Sequence, residues 1–217
     1  MQLLSILLLV GGVSCVLACS CVKPHLQETF CHAQFVFMGR VLSSKLVYKK
    51  QPLPNDDSFH RRPIHMKYTV RVKKIFKMKD DESVLNKNST KVVVYSEPYD
   101  SLCGVLDLHQ RVSYLFPGNF QDGEMWINIC SPVVPWPWVT KAQKRYMRGT
   151  YSANCECQIV FDPSDDMGCV WSYGDRHSDC YELETACIKD KNSINERCKW
   201  HQNSGLRNCR SPKPMEP

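Results

Sequence analysis

The feature that most constrains this chain is its cysteine content. The 217-residue sequence contains thirteen cysteines. An uncharged run from Leu3 to Ala18 ends in small or apolar residues, Val16-Leu17-Ala18, which suits a signal-peptidase site. Cleavage after Ala18 removes Cys15 and leaves twelve cysteines. An even number in a secreted chain predicts six disulfides, which small extracellular domains use because their cores bury too little surface.

The leader is too short for a typical membrane anchor. Its apolar run falls below the roughly 20 residues that a spanning helix needs, and no later segment is longer. An uncleaved anchor is one alternative, and Leu17-Ala18-Cys19 also resembles a bacterial lipidation box. The dense cysteines and the sequon Asn88-Ser89-Thr90 favour a secreted, extracellular protein with a sugar on Asn88, and no membrane span.

Cysteine spacing argues against two other classes of cysteine-rich protein. Zinc ribbons and thiol oxidoreductases use Cys-x-x-Cys pairs, and this sequence has none. It has two Cys-x-Cys pairs instead, Cys19/Cys21 and Cys155/Cys157, which suggest points where several bridges converge. The seven histidines show no metal-ligand spacing, and His25 and His32 are predicted to lie on a helix surface. The sequence therefore predicts neither an enzyme nor a cofactor of its own.

Alternating and β-branched segments predict a β-rich N-terminal part. Gly39 indicates a bulge or bend of the kind that barrels need. Residues 45–63 are predicted to form a long polar connection. Helices are predicted at 27–33 and at 140–151. Such a set fits a small Greek-key barrel of the oligonucleotide/oligosaccharide-binding (OB) type, although periodicity alone supports only a β-rich domain. The five predicted strands are residues 34–42, 66–72, 91–96, 112–116 and 125–130.

The composition changes near residues 155–157. From Cys157 to Cys209 the chain carries half of the twelve remaining cysteines and has few clear strands. It also holds two Cys-x-Trp units, whose tryptophans are predicted to pack in the core or against disulfides. We therefore expect three parts, which are a signal peptide (1–18), a barrel domain (19–155) and a disulfide-stapled module with a proline-rich tail (156–217).

Several short motifs resemble the tissue inhibitors of metalloproteinases over essentially the whole mature chain. They occur in order and at compatible spacing. They are Cys19-Ser20-Cys21 with Gln27-x-x-Phe30-Cys31, the segment Asp100-Ser101-Leu102-Cys103-Gly104-Val105, Val134-Pro135-Trp136 before Thr140-x-x-Gln143-Lys144, Cys155-Glu156-Cys157, and Ala186-Cys187 with the Cys-x-Trp units.

The resemblance implies a mainly β fold with short helices. It comprises a five-stranded, netrin-like OB barrel and a small disulfide-rich C-terminal module. It also implies a pairing of the cysteines, which sequence alone could not choose among about ten thousand arrangements. Cys180 and Cys209 remain once the other pairs are assigned and would pair by elimination. The small loop bridge that the family usually has after the domain boundary lacks its cysteines here, which is a departure from the family pattern that bears on this last pair. The implied pairs are Cys19–Cys103, Cys21–Cys130, Cys31–Cys155, Cys157–Cys198, Cys169–Cys187 and Cys180–Cys209.

The resemblance further implies a secreted inhibitor of zinc metalloproteinases. The α-amine and carbonyl oxygen of Cys19 would chelate the zinc of the target enzyme and displace its water, since that metal keeps a coordination position open. Ser20 would enter the adjacent specificity pocket, and Val22 would follow the cleft. We call the implied contact residues the ridge; they are Cys19, Ser20, Cys21, Val22, Lys23, Asp100, Ser101, Leu102 and Cys103.

The implied partners are matrix metalloproteinases, bound one-to-one by a monomer, with disintegrin-type enzymes as a wider class. Many family members have proline where this chain has Lys23, which leaves the stiffness of the ridge and the target preference open. The alternative is a netrin-like module that binds growth factors or matrix without inhibiting anything. In that case the run Lys73, Lys74, Lys77 and Lys79 would attract sulfated glycosaminoglycans. The bases of the second helix are typical of a solvated face, so no nucleic-acid partner is expected.

Overall fold

The computed structural model describes residues 19–49, 62–79, 90–161, 168–172, 174–192 and 197–211. The predicted signal peptide, Asn88 and most of the proline-rich tail lie outside these ranges. The described part is mainly β with short helices, and its C-terminal portion is rich in disulfides. Within the described ranges, no helix combines the length and the apolar character needed to cross a bilayer.

Five strands close into a ring, as the predicted OB-type barrel requires. Along the ring the order is β1-β2-β3-β5-β4, and β4 pairs with β1 again. Only the β3–β5 contact in this ring is parallel. The strands are β1 (Phe35–Tyr48), β2 (Pro63–Met78), β3 (Lys91–Ser96), β4 (Ser113–Gln121) and β5 (Glu124–Trp126), and a two-residue strand, β6 (Val134–Pro135), adds to β4.

The first two strands are longer than their sequence pattern predicts. β1 and β2 remain paired as far as Tyr48 and Pro63, so both ends of the predicted 45–63 connection are strand. This part was missed because its side chains are mostly exposed or half-buried, and apolar alternation therefore fades. The bend predicted at Gly39 is confirmed, since the register shifts there and a Cβ would collide with Val70.

The helices are short. The predicted helix near residues 27–33 is confirmed as α1, with Phe30 buried. The single helix predicted at 140–151 is wrong, because the chain forms α2 and α3 with a break that includes Gly149, a poor helix former. The helices are α1 (Leu26–His32), α2 (Lys141–Tyr146), α3 (Thr150–Ala153), α4 (Ser178–Glu184) and α5 (Ser204–Arg210).

Three groups of buried side chains hold the described residues together. The first fills the barrel and includes Phe37, Tyr68 and Phe116. The second lies between helices α1 to α3 and the barrel, and Ala186 from the C-terminal part belongs to it. The third surrounds Trp171 and consists largely of half-cystines. The C-terminal part is built on short strand pairs, β7 (Ile159–Val160) with β8 (Cys169–Val170) and β9 (Cys187–Lys189) with β10 (Cys198–Trp200).

Candidate functional site

Two disulfides hold the segment that begins at Cys19 beside the loop that ends at Cys103. Cys19 is bonded to Cys103, with Cα atoms 5.1 Å apart, and Cys21 to Cys130, with Cα atoms 5.2 Å apart. Sulfur atoms of the two bridges are also neighbours, since the Sγ atoms of Cys19 and Cys21 are 3.6 Å apart. Cys19–Cys103 therefore cross-links the two parts of the ridge, and Cys21–Cys130 anchors the other end of the three-residue stretch 19–21 to a residue outside the ridge.

The loop of the ridge has a backbone that only certain residues tolerate. Asp100–Leu102 forms a 3₁₀ turn, and the amides of Leu102 and Gly104 both donate to the carbonyl of Tyr99. Cys103 adopts a left-handed conformation with φ of 63°. A Cβ at Gly104 would collide with the carbonyl oxygens of Glu97 and Tyr99. Glycine is therefore required directly after the half-cystine.

The backbone nitrogen of Cys19 points into the ridge. It donates a hydrogen bond to the carbonyl oxygen of Ser101 at 3.2 Å. The neighbouring side chain of Ser20 is exposed, and Val22 is 69% exposed. The arrangement presents a small hydroxyl and an apolar side chain to solvent beside a backbone nitrogen that is held against the loop.

Two exposed apolar residues that sequence reasoning missed flank the ridge. Tyr99 precedes its loop, and Ile129, whose amide donates to the carbonyl of Cys103, precedes the bridged Cys130. Both side chains are exposed, as is that of Leu102. A cluster of exposed apolar groups is typical of a protein-binding surface. Tyr99 was detectable in the sequence as an aromatic residue in a predicted loop, whereas nothing local distinguished Ile129 from a strand residue.

The structure joins all twelve described cysteines in disulfides. The pairs are those that the resemblance implies, namely Cys19–Cys103, Cys21–Cys130, Cys31–Cys155, Cys157–Cys198, Cys169–Cys187 and Cys180–Cys209. Two groups of sulfurs are close enough together to surround a metal ion. Because every one of these sulfurs is in a disulfide, neither group offers a thiolate ligand.

The residues that follow the ridge, Pro24–Glu28, form what we call the base. His25 caps the N-terminus of α1, and its Nδ1 accepts a hydrogen bond from the amide of Gln27 at 3.1 Å. The Glu28 carboxylate in turn accepts a hydrogen bond from the backbone amide of His25 at 3.1 Å. This reciprocal pair is a capping box with histidine in the place of the usual serine or threonine.

His25 is fully buried, so its predicted surface position is wrong. Its ring lies 5.4 Å from the rings of both Trp171 and Trp200. Because Nδ1 is an acceptor, Nε2 carries the proton and donates to the carbonyl of Tyr181 at 3.2 Å. Burial lowers the pKa of His25 to about 4. The imidazole is therefore neutral at physiological pH and joins the start of α1 to the C-terminal part.

Gln27 makes the second buried connection. Its side-chain amide donates to the carbonyl of Cys187 and accepts from the amide of the same residue, both at 2.8 Å. Its Nε2 also donates to the carbonyl of Asn154 at 3.2 Å. The Gln27 side chain thus makes the two hydrogen bonds to Cys187, the first residue of β9, that the backbone of a neighbouring strand would otherwise make.

The side chain of Lys23 contacts helix α4. Its Nζ lies 2.7 Å from Oε1 of Glu182 on α4. The side chain of Lys23 is 56% exposed and that of Glu182 only 13%. Neither Glu182 nor the contacts of His25 and Gln27 could be found from local sequence, because their partners lie more than a hundred residues away.

The lysine run of β2 does not form one solvated face. Nζ of Lys77 donates to the carbonyls of Phe30 at 2.9 Å and Cys31 at 2.7 Å, at the C-terminal end of α1. Lys74 lies over the ring of Phe76, while Lys73 and Lys79 are exposed. Because Lys77 is committed to α1, the run is less suited to sulfated glycans than its sequence indicates.

A family comparison accounts for this combination of barrel, ridge and disulfides. The model of the family described as tissue inhibitor of metalloproteinase matches residues 17–200. The chain belongs to this family. The match spans both the ridge and the disulfide-rich C-terminal part, so the family assignment covers nearly all of the described residues.

Curated relatives in this family of metalloproteinase inhibitors are similar at moderate identity. Metalloproteinase inhibitor 2 of Cricetulus longicaudatus is 30% identical over 163 residues, which cover 71% of this chain and 76% of that protein. The human metalloproteinase inhibitor 2 is 27% identical over 197 residues, covering 85% and 82%. Metalloproteinase inhibitor 3 of Scyliorhinus torazame is 30% identical over 142 residues, covering 65% of this chain and 58% of that protein.

Proposed function

We propose that the mature chain is secreted, begins at Cys19 and inhibits zinc metalloproteinases by binding their catalytic zinc. The observation that carries this proposal is the position of the Cys19 nitrogen, held 3.2 Å from the carbonyl of Ser101 and clamped by the disulfide to Cys103. Membership of a family whose relatives are named metalloproteinase inhibitors supports the same role.

The chemistry follows from what leader removal does to that nitrogen. In the mature chain it is an α-amine, and together with the Cys19 carbonyl oxygen it forms a five-membered chelate on the zinc of the target. The chelate takes the position of the water that such an enzyme activates for attack. Only the deprotonated amine binds, so protons compete with the metal. Because α-amines have a pKa of about 8 in model compounds, inhibition weakens in acid.

The other ridge residues fit the cleft of the target beside the metal. Ser20 enters the adjacent specificity pocket, where its hydroxyl hydrogen-bonds a catalytic carboxylate. Val22 follows the cleft as a substrate residue does, and Leu102 adds apolar contact from the loop. Both side chains are exposed in the free chain, so neither has to leave a core in order to bind.

Cross-linking by two disulfides favours tight association. Cys19–Cys103 and Cys21–Cys130 fix the backbone on both sides of Ser20 before the target arrives. Because the segment is already ordered, less conformational entropy is lost on binding. We assign the inhibitory role to residues 19–155 and an accessory role to the module at 156–217. The chain is a monomer that binds matrix metalloproteinases, and disintegrin-type enzymes as a wider class, one-to-one. It is not an enzyme, and the zinc belongs to the target.

The test is a titration of a purified matrix metalloproteinase with the secreted protein, whose N-terminus is first read by sequencing. We expect Cys19 as the first residue and a linear loss of protease activity that ends at one equivalent. A serine protease titrated in parallel should keep its activity. Full metalloproteinase activity at micromolar inhibitor would contradict the proposal.

A further inference from the structure

Helix α4 ends in a set of carbonyl groups that all bind side chains from the N-terminal part. The last four carbonyls of any helix have no partner within that helix. In α4 each of the four accepts a hydrogen bond from a side chain that precedes residue 156. The pairs are His25 to Tyr181 (3.2 Å), Gln143 to Glu182 (3.1 Å), Thr140 to Leu183 (2.6 Å) and Tyr146 to Glu184 (3.3 Å).

These contacts fix α4 against α2 and, through His25, against the base. Thr140 and Gln143 form the capping box of α2, and the same two side chains also bind carbonyls of α4. From the other side, Asn203 donates to the carbonyl of Glu184 at 2.7 Å, and Cys180 is bridged to Cys209 of α5. Helix α4 is therefore held from both sides, and its position relative to α1 is well defined.

Lys23 connects this fixed helix to the ridge. Its ammonium group lies 2.7 Å from the carboxylate of Glu182, near the C-terminal end of α4. The negative end of the helix dipole there also favours a cation. Lys23 is one residue from Val22 and two from the bridged Cys21, so a restraint on Lys23 acts directly on the segment that would lie in the cleft.

We propose that α4 positions the inhibitory segment and that Lys23, through Glu182, is the positioning residue that joins them. This inference rests on the proposed function for its effect on inhibition, although the restraint itself does not depend on any target. A proline at this position would fix φ and stiffen the chain from within. In this chain the ion pair supplies the restraint from outside the backbone.

The first experiment is a double-mutant cycle in the full-length mature protein, read as the inhibition constant against a matrix metalloproteinase. Exposed or half-exposed ion pairs contribute little, so we expect Glu182→Gln and Lys23→Met each to weaken inhibition about twofold to fivefold. The double variant should be no weaker than either single variant. Glu156→Gln, which removes an ion pair with Lys189 elsewhere on the C-terminal part, is the matched control and should change nothing.

A charge swap separates positioning from direct contact with the target. The variant Lys23→Glu/Glu182→Lys restores the pair in the opposite sense and should recover most of the inhibition that either single reversal loses. Lys23→Arg should also retain it. Additive single effects together with no recovery in the swap would mean that Lys23 acts by touching the protease, and the inference would be wrong.

Backbone ¹⁵N relaxation in the free protein tests the restraint without any target. We expect the order parameters of residues 20–23 to be lower in Glu182→Gln than in the wild type, with Glu156→Gln unchanged. Equal order parameters in all three proteins would overturn the inference even if the protein is a strong inhibitor. If the wild type inhibits nothing but the difference in order parameters is found, the proposed function fails and the positioning by α4 stands.

Discussion

The ridge and its base are adjacent in the chain but are fixed by different forces. Ridge residues such as Ser20 and Val22 are exposed, and disulfides at Cys19 and Cys21 hold their backbone. Base residues His25 and Gln27 are fully buried and are held by hydrogen bonds to the C-terminal part. The change from exposed residues held by disulfides to buried residues held by hydrogen bonds takes place within four residues, between Cys21 and His25.

This difference separates the residues that bind from the residues that stabilise. Exposed side chains on a cross-linked backbone add little to the free energy of unfolding and remain free to contact a partner. Buried polar side chains with complete hydrogen bonding contribute to stability, because removing one leaves a desolvated partner unpaired. Substitutions in the ridge should therefore change inhibition, and substitutions in the base should change stability first.

The largest expected effect comes from removing the clamp itself. Cys19→Ser/Cys103→Ser keeps the terminal amine but frees the end of the segment at residue 19, while Cys21–Cys130 remains. We expect the inhibition constant to rise about a hundredfold or more, since the ordering entropy is then lost on binding. Removing a bridge that spans 84 residues should also cost about 4.5 kcal/mol of stability by the chain-entropy estimate. Enzyme titration and urea unfolding measure the two effects.

The matched control removes a disulfide from the C-terminal part. Cys157→Ser/Cys198→Ser opens a bridge that spans 41 residues and should cost similar stability. Its inhibition constant should stay within a few-fold of wild type at temperatures where it is folded. Equal loss of inhibition in both variants would show that global stability, and not the clamp, controls binding.

The next effect is in the base and should appear in stability alone. Gln27→Ala leaves both the amide and the carbonyl of Cys187 without a partner in a buried position. We expect a loss of about 3 kcal/mol in the free energy of unfolding, measured by urea denaturation. Gln121→Ala, at an exposed position in β4, should lie within about 0.5 kcal/mol of wild type.

A smaller effect on the free energy of unfolding is expected from a change in pH. The folded pKa of His25 is about 4, below its ordinary value of 6.5, because burial disfavours the charged form. Between these values the unfolded chain binds more protons, so stability falls as the pH drops. The loss is about 2 kcal/mol between pH 7 and pH 5. Urea unfolding at both pH values measures this loss.

His25→Asn isolates the histidine contribution, since asparagine can cap α1 without titrating. Two charged neighbours act on the same site. Burial raises the pKa of Glu28, which works in the opposite direction, and the Lys23 charge lowers that of His25. Glu28 and Lys23 both remain in the variant. The difference between the wild type and His25→Asn in how the unfolding free energy depends on pH is therefore due to the imidazole. An unchanged slope would mean that His25 does not sense pH.

The smallest effect is a change in inhibition without a change in stability. Val22→Ala removes apolar surface that is exposed in the free chain and would be buried against the target. We expect inhibition to weaken about threefold to tenfold and the unfolding free energy to stay within about 0.5 kcal/mol. Ile75→Ala is the control, because Ile75 is also exposed but lies away from the ridge. Met66 is the β2 residue that pairs with Ser96, shortly before the ridge loop, and Ile75 lies nine residues further along β2. Equal inhibition by both variants would exclude Val22 from the interface.

Local sequence signals predicted β-strands but not the contacts of the base. Alternation in residues 66–72 and the β-branched run in residues 91–96 indicated strands, whereas closure into a barrel was implied only by the family resemblance. The paired ends near Tyr48 and Pro63 were not predictable, because exposed strands lack an apolar period. Gly149 was the available signal for the break between α2 and α3.

The disulfide pairs that hold the ridge were predictable from the family resemblance, and the contacts of the base were not. Cys19-Ser20-Cys21 and the loop to Cys103 are short local motifs that can be recognised in the sequence itself. The burial of His25 depends on Trp171 and Trp200, which are far away in the chain and carry no local sign of the contact. The spacing of His25 and Glu28 did contain a capping-box signal, which the unusual histidine cap concealed.

The most direct test of the account is one extra alanine ahead of Cys19 in the mature protein. The addition converts the terminal amine into an amide, which cannot chelate zinc, while both disulfides and the base remain. We predict that inhibition of a matrix metalloproteinase falls at least about a thousandfold with unchanged unfolding free energy. Wild-type potency in this variant would contradict the claim that the Cys19 amine binds the metal.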